Sequence, residues 1–163
     1  MEAMEPRLIL RDAIPGDEHL VLSLVRELAE YEHLLHEVKA TAEQFRRALF
    51  GPRPDLFGLI VEKAGEPVGF ALWFTTFSTF NGTPSLYVED VYVRAEHRGG
   101  GIGRAVFRDL ARRALALGCE RMEWSVLDWN APSIEFYRRI GAQPVRGWTV
   151  QRLNGEALAA LAT

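Results

Sequence analysis

The fold is decided by LYVEDVYV at residues 86–93 and RGGGIG at residues 98–103. β-branched and aromatic side chains dominate the first stretch, which predicts a central strand. After the glycines, apolar residues recur at helical spacing up to Gly118, a residue type that commonly ends a helix. Residues 122–127, MEWSVL, predict the next strand. A strand, a helix and a strand in this order predict parallel pairing through a right-handed crossover.

The chain upstream of this unit reads as strand, helix, helix and hairpin. A short strand at residues 8–10 precedes apolar residues at helical spacing up to about Tyr31. Residues 41–44 have the form of a capping box and open a second short helix. Strand-like runs at residues 56–62 and 68–76 are separated by a short turn, which predicts an antiparallel hairpin.

The remaining elements complete an α/β fold. Residues 131–140 predict a short helix, and residues 145–153 predict a terminal β segment. The length suits one domain, which we place at residues 5–163. We expect a central mixed β-sheet, splayed around residues 86–93, with helices on both faces.

Charge and composition exclude several function classes. Nineteen Lys and Arg residues against 22 Asp and Glu residues leave a net charge of −3, so no global positive field attracts nucleic acid or an anionic membrane. No apolar run approaches the roughly 20 residues of a membrane span, so we expect a cytoplasmic protein with no nucleic-acid or membrane partner. Cys119 is the only cysteine, and we read it as a small buried hydrophobe. His33 and His36 share a helical face if the first helix extends that far, but no third ligand follows, so we expect no metal.

The glycine loop has the properties of an anion site. Glycines allow positive φ and close approach of a ligand, and the helix that follows presents unpaired N–H groups with a positive dipole end. Arg98 adds a cation, which makes a diphosphate the best-matched ligand. The spacing fits neither a P-loop nor a dinucleotide fingerprint. A purely structural tight turn remains the alternative.

Several linked motifs resemble one family. Arg98-x-x-Gly101-x-Gly103, followed by NAPSIEFY at residues 130–137, resembles the GNAT superfamily of acetyl-CoA-dependent N-acetyltransferases. YVED at residues 87–90 and ELAEYE at residues 27–32 are similar to its diamine (spermidine/spermine) and thialysine acetyltransferase branch. The resemblance implies acetyl-CoA as cosubstrate, a small-molecule amine as substrate and a homodimer.

The same resemblance implies a set of cofactor-binding residues. One strand would pair its backbone with the pantetheine amides, the glycine loop would cradle the pyrophosphate, and the start of a later helix would line the other side. These residues are Val91, Tyr92, Val93, Arg98, Gly99, Gly100, Gly101, Ile102, Gly103, Arg104, Asn130, Pro132 and Ser133.

Amine acetylation needs a proton acceptor and a proton donor. An alkyl ammonium with a pKa of about 10.4 is almost entirely protonated at neutral pH, so the amine must lose a proton before it attacks. Glu89 is the candidate acceptor, directly or through water. A phenol can protonate the leaving thiolate, and the resemblance assigns that catalytic role to Tyr137.

The substrate side is less specific. Carboxylates and aromatic rings suit a substrate with two ammonium groups, and the resemblance implies as contacts Tyr31, Glu32, Glu89, Asp90, Glu123, Trp124, Ser125 and Trp148. Arg146 and Phe80 depart from the acidic residue and the tryptophan expected for polyamine enzymes, which leaves a diamine, a polyamine or a lysine-like amino acid as candidates. The alternatives are acetylation of a protein N-terminus or an antibiotic amine, or a non-catalytic acyl-CoA-binding module.

Overall fold

A computed structural model describes residues 7–163 of the chain. They form two compact units, Met1–Leu127 and Asp128–Thr163, of which the first is described from residue 7 onward. No helix in the described part of the chain combines the length and the apolar character needed to cross a bilayer. The boundaries of a single domain at residues 5–163 stay a prediction.

The first unit is built on a five-stranded sheet. Its strands follow one another in space in the order of the chain, and the first four pair antiparallel. The fifth strand pairs parallel with the fourth, which confirms the predicted mixed sheet. The strands are β1 (Leu8–Asp12), β2 (Phe57–Lys63), β3 (Glu66–Ser78), β4 (Thr83–Val93) and β5 (Met122–Glu123).

Three helices cover the two faces of this sheet. They are α1 (Glu18–Tyr31), α2 (Ala42–Phe50) and α3 (Ile102–Ala116). Because side chains alternate along a strand, Ile60 of β2 packs in one apolar cluster with residues of α1 and α2, whereas its neighbours Leu59 and Val61 pack in another with α3. Helices therefore lie on both faces, as the sequence predicts.

The capping box predicted for α2 is present. Thr41 Oγ1 accepts a hydrogen bond from the backbone N–H of Gln44 at 3.3 Å, and the side chain of Gln44 accepts one from the backbone N–H of Thr41 at 2.9 Å. Two of the helix's unpaired N-terminal groups are satisfied in this way, which fixes where α2 begins.

The strand predicted at residues 122–127 is much shorter than expected. β5 comprises two residues, and only Leu86 and Tyr87 of β4 pair with it. Just beyond that point a β-bulge interrupts β4, since Leu72 of β3 pairs with Asp90 but the next residue of β3 pairs with Val88. A bulge bends and twists its strand, and the pairing of β4 with β5 ends at Tyr87, two residues before the extra residue Glu89.

The predicted terminal β segment is wrong for the described chain. Residues 145–153 contain no strand, and Trp148 and Val150 are 80% and 85% exposed. A strand requires a hydrogen-bonded neighbour, and this stretch has none among residues 7–163 despite its alternating pattern. The second unit instead holds two helices, α4 (Ala131–Arg139) and α5 (Gly155–Leu161).

The two histidines after α1 do not share a helical face. α1 ends at Tyr31, and His33 has a φ of 61°, in the left-handed region. His36 lies in a separate 3-10 turn at Leu35–Glu37. His33 and His36 therefore lack the shared helical face that a metal site formed by these two histidines would need.

Candidate active site

The glycine loop and the start of α3 expose several backbone N–H groups in open space. Gly99 and Gly101 have φ values of 83° and 79°, and a Cβ on either would meet no atom within 4 Å. No side chain of residues 7–163 caps α3, and its first intrahelical bond is donated by the N–H of Ala105 to the carbonyl of Gly101. The preceding N–H groups, from Ile102 onward, have no partner within the helix. These unpaired N–H groups are the feature on which the prediction of a diphosphate at this loop depends.

β4 presents an open backbone edge next to this loop. From Val88 onward, no strand among residues 7–163 pairs with β4 on its β5 side. The N–H of Arg94 donates to the carbonyl of Val68 on β3, so alternation directs the backbone of Tyr92 toward β3 and that of Val91 and Val93 toward the open edge. Val91 thus offers its N–H and carbonyl to an extended ligand, and Val93 offers its N–H, since its carbonyl accepts from Nε of Arg98 at 2.8 Å.

The bulge in β4 brings two carboxylates onto the α1 face of the sheet. On a regular strand, residues three positions apart point to opposite faces. Val88 and Val91 nevertheless both pack on the α3 face. The extra residue therefore leaves Glu89 and Asp90 on the opposite face, where Tyr92 packs with the α1 cluster. Glu89 is exposed and Asp90 is half-buried.

A third carboxylate approaches from the end of α1. Burial, followed by the repulsion of Glu89 and of Glu32, raises the pKa of Asp90 to about 7. Burial also raises the pKa of Glu32. Among residues 7–163, none of these three side chains forms an ion pair with arginine, lysine or histidine. We call Glu32, Glu89 and Asp90 the acidic cluster, and its uncompensated negative charge favours a cationic ligand.

The predicted residues Tyr31 and Arg98 lie against each other. The guanidinium of Arg98 lies 4.5 Å from the ring centre of Tyr31 and 5.6 Å from that of Tyr92. Its Nε donates to the carbonyl of Val93 at 2.8 Å. The structure therefore brings the first residue of the glycine loop to the end of α1, beside the acidic cluster.

The predicted residues around β5 have three different environments. Glu123 forms an ion pair with Arg121 at 3.4 Å. Ser125 Oγ lies 3.1 Å from the hydroxyl of Tyr87, within hydrogen-bond distance. Trp124 packs against Phe107 of α3, with 4.9 Å between ring centres, and belongs to the apolar core on that face. Of these three, Trp124 is placed for packing on the face opposite the acidic cluster.

The other predicted residues lie in the second unit. Asn130 is 4% exposed and caps α4, with its Oδ1 accepting from the N–H of Ser133 at 3.3 Å. Pro132 lies in the first turn of α4, where its missing N–H costs no helical bond. Tyr137 packs edge-on against Phe136, with 5.6 Å between ring centres. Trp148 is exposed.

Comparison with known proteins identifies the family. The Acetyltransferase (GNAT) family model matches residues 21–142. The chain belongs to the GNAT acetyltransferases. It is 39% identical to the thialysine N-epsilon-acetyltransferase of Bos taurus, over 95% of this chain and 97% of that protein. It is 27% identical to an L-ornithine N5-acetyltransferase of Arabidopsis thaliana, over 93% of this chain and 86% of that protein.

Solved structures confirm the fold of this acetyltransferase. An integron cassette protein from the mobile metagenome of V. cholerae superposes with a TM-score of 0.79, at 23% identity, over 95% of this chain and 97% of that one. An aminoglycoside acetyltransferase from an uncultured soil metagenomic sample, solved with sisomicin, superposes with a TM-score of 0.72 at 14% identity, over 89% and 97% of the two chains. At such identities, the likeness concerns the fold.

Cys119 of the acetyltransferase is placed for packing. Its side chain is 4% exposed in the core beside α3, and burial raises the pKa of its thiol. A protonated, buried thiol is a poor nucleophile. Its position agrees with the interpretation as a small buried hydrophobe.

Sequence reasoning missed three residues near the site. Tyr87 is paired with Ser125, and Arg94 donates to both carboxylate oxygens of Glu27 at 2.9 and 2.7 Å. Glu27 and Tyr31, like Arg94 and Arg98, are four positions apart. This equal spacing is the one feature of the sequence that could have indicated the Glu27–Arg94 ion pair.

Proposed function

We propose that this acetyltransferase transfers the acetyl group of acetyl-CoA to the terminal primary amine of a small molecule, with a lysine-like amino acid or a diamine as the preferred substrate class. The observation that carries the proposal is the acidic cluster. Three carboxylates share one face of the sheet without a cationic partner in the described chain, and a half-buried carboxylate in that position destabilises the fold unless a cation joins it. An alkyl ammonium supplies that cation.

The proposal that acetyl-CoA is the acyl donor depends on the glycine loop and on the open edge of β4. The N–H groups that open α3 and the glycines before them suit the diphosphate, and the outward-facing backbone of Val91 and Val93 suits the two pantetheine amides. Acetyl-CoA supplies an activated acyl group as a thioester. Residues 98–104 and the end of β4 would hold it so that the acyl group reaches the bulge, where Glu89 and Asp90 lie.

The proton transfers follow from the side chains. Asp90, with a pKa of about 7, is ionised in about half of the molecules at neutral pH and is therefore better matched to proton acceptance than an ordinary carboxylate. Asp90 or Glu89 accepts the ammonium proton, and the neutral nitrogen attacks the thioester carbon. As the C–S bond breaks, the sulfur takes a proton, and the nitrogen loses its second proton to solvent, from which the proton donor is restored. We propose Tyr137, from its place in the motif, as the proton donor to the departing sulfur. No acyl-enzyme intermediate is required.

The names of the relatives point to one substrate class. They specify thialysine and L-ornithine, two amino acids whose acetylated amine lies at the end of the side chain. A relative at 34% identity is named spermidine/spermine N(1)-acetyltransferase-like protein, and this chain covers 23% of its length. We therefore rank lysine-like amino acids before long polyamines for this chain.

An amine panel tests the proposed reaction. Free thiol released from acetyl-CoA should appear with thialysine, ornithine and a short diamine, with kcat/KM about tenfold above that of a monoamine of equal length, because the second charged group adds about 1.4 kcal/mol of binding. The control is the hydroxyl analogue of each amine. Absence of thiol release with every primary amine would contradict the proposal.

The homodimer that the resemblance implies and the cytoplasmic location that the sequence predicts remain proposals. We propose a homodimer, for which light scattering should give about twice the chain mass of 18.4 kDa. We also propose a cytoplasmic location.

A further inference from the structure

Two parallel contacts tie the last turn of α1 to the segment that leads into the glycine loop. Glu27 and Tyr31 lie one turn apart on α1, and each contacts an arginine. Arg94 forms an ion pair with Glu27, and Arg98 lies over the ring of Tyr31. We call these four residues the arginine clamp. It connects the helix end that carries Glu32 with the loop proposed to hold the diphosphate.

The guanidinium of Arg98 has three partners among the described residues. Its central carbon lies 4.5 Å from the ring centre of Tyr31 and 5.6 Å from that of Tyr92, and its Nε donates to the carbonyl of Val93 on the open edge of β4. No hydrogen bond among residues 7–163 involves its two terminal nitrogens, and the residue as a whole is exposed. A cation–π contact uses the positive charge of the guanidinium and none of its N–H groups, so the terminal N–H groups remain available to an anion.

The structure assigns Arg98 and Tyr31 a positioning role: through their stacked contact, binding of the acyl carrier at the glycine loop strengthens binding of the amine at the end of α1. This inference rests on the proposed function. The terminal nitrogens of Arg98 bind a phosphate oxygen. The same guanidinium holds the ring of Tyr31 in place, and this fixes the position of Glu32, the next residue along the chain. Coupling of this kind is reciprocal, so the amine strengthens carrier binding by the same factor.

The sign of the coupling follows from side-chain entropy. An arginine loses most of its rotamer freedom when it binds a phosphate. In this protein, Tyr31, Tyr92 and the carbonyl of Val93 already restrict Arg98, so the phosphate meets an ordered donor. A bound phosphate also reduces the charge that attracts the rings, but an exposed cation–π contact is the weaker of the two effects. The coupling between the Tyr31 contact and phosphate binding at Arg98 is therefore positive, and the amine shares in it through Glu32, the residue after Tyr31.

Titration calorimetry of CoA with the full chain, with no amine present, tests the inference. Tyr31→Leu should weaken CoA binding about threefold to thirtyfold, although Tyr31 is not proposed to touch CoA. Tyr31→Phe should stay within about twofold of the wild type, because the ring face is retained. Phe80→Leu is the control for loss of an aromatic side chain, since Phe80 is 96% exposed on the β3–β4 hairpin. A residue that contacts only the amine would leave CoA affinity unchanged.

A double-mutant cycle separates the clamp from a general loss of stability. Arg98→Lys keeps the charge at an exposed position but loses the planar stack, and in that background Tyr31→Leu should have no further effect on CoA affinity. In the wild type, adding ornithine should tighten CoA binding, and Arg98→Lys should abolish that tightening. The effect of ornithine on CoA binding tests the inference even if Tyr31→Leu lowers Tm, because it is measured without that variant.

Four outcomes decide the inference. Weakened CoA binding in Tyr31→Leu that is not additive with Arg98→Lys supports it. Unchanged CoA binding in Tyr31→Leu, or full additivity, overturns it. A wild type that does not bind CoA overturns both the inference and the proposed donor. A wild type that shows the clamp effect but releases no thiol with any amine supports the coupling and overturns the proposed reaction.

Discussion

Replacing Tyr137 by phenylalanine is expected to lower kcat by about 10² to 10⁴-fold. Negative charge develops on the sulfur of CoA during C–S cleavage, so the barrier rises when no positioned proton donor is present. The substitution removes one oxygen atom and keeps the aromatic ring that packs against Phe136. We expect the Kd of CoA to stay within about twofold, because the phenol acts on the transition state.

Two measurements accompany the Tyr137→Phe assay. Calorimetric titration with CoA reports whether carrier binding is retained, and the Tm reports whether α4 is intact. Phe136→Leu, on the same helix, should cause a smaller loss of kcat, since its ring only packs. An unchanged kcat in Tyr137→Phe would remove this residue from the mechanism.

Replacing Asp90 by asparagine is expected to lower kcat/KM by about 10² to 10⁴-fold and to raise stability at the same time. Only the ionised carboxylate accepts a proton, so kcat/KM of the wild type should rise with pH through about 7 as Asp90 ionises. Asp90→Asn should lose that rise. Asp55→Asn, at an exposed loop position before β2, is the matched control and should leave the profile unchanged.

The effect on stability has a definite sign. The folded-state pKa of Asp90, about 7, lies above its ordinary value, so between about pH 4 and pH 7 the folded protein binds more protons than the unfolded chain. Stability therefore falls as pH rises through this window, and above it the ionised carboxylate costs up to about 4 kcal/mol. Asp90→Asn should raise Tm at pH 8 more than at pH 5. A lower Tm at pH 8 would contradict the account of a strained carboxylate.

Glu89→Gln decides between the two candidate bases. Glu89 is the acceptor that the sequence predicts, but it is exposed, whereas Asp90 beside it is half-buried. We expect the larger loss of rate in Asp90→Asn. The reverse order would assign proton acceptance to Glu89 and leave Asp90 with a role in binding the ammonium.

The fold could be predicted where local chemistry decides the structure. Residues 86–93 are rich in strand-forming side chains, and Thr41 with Gln44 forms the capping box that their spacing predicts. The parallel pairing of β4 with β5 followed from strand, helix and strand order. The terminal β segment failed because alternation describes side chains, whereas a strand also needs a neighbouring backbone.

The candidate site could be predicted only in part. The glycine loop is visible in the sequence because positive φ and an uncapped helix start both depend on nearby residues. The raised pKa of Asp90 depends on burial and on Glu32, which is distant in sequence, and the bulge at Glu89 depends on the register with β3. No local pattern contains that information. The position of Trp124 does follow a local pattern. Trp124 lies two positions after Met122, and both residues pack on the α3 face, as alternation along the chain predicts.

The crystal structure of the protein with bound CoA tests the central claim most directly. We predict diphosphate oxygens within hydrogen-bond distance of the N–H groups of residues 102–104 and of the terminal nitrogens of Arg98. The pantetheine amides should pair with the outward backbone of Val91 and Val93. Density for CoA at another surface, or a β4 edge that stays unpaired in crystals saturated with CoA, would contradict the account.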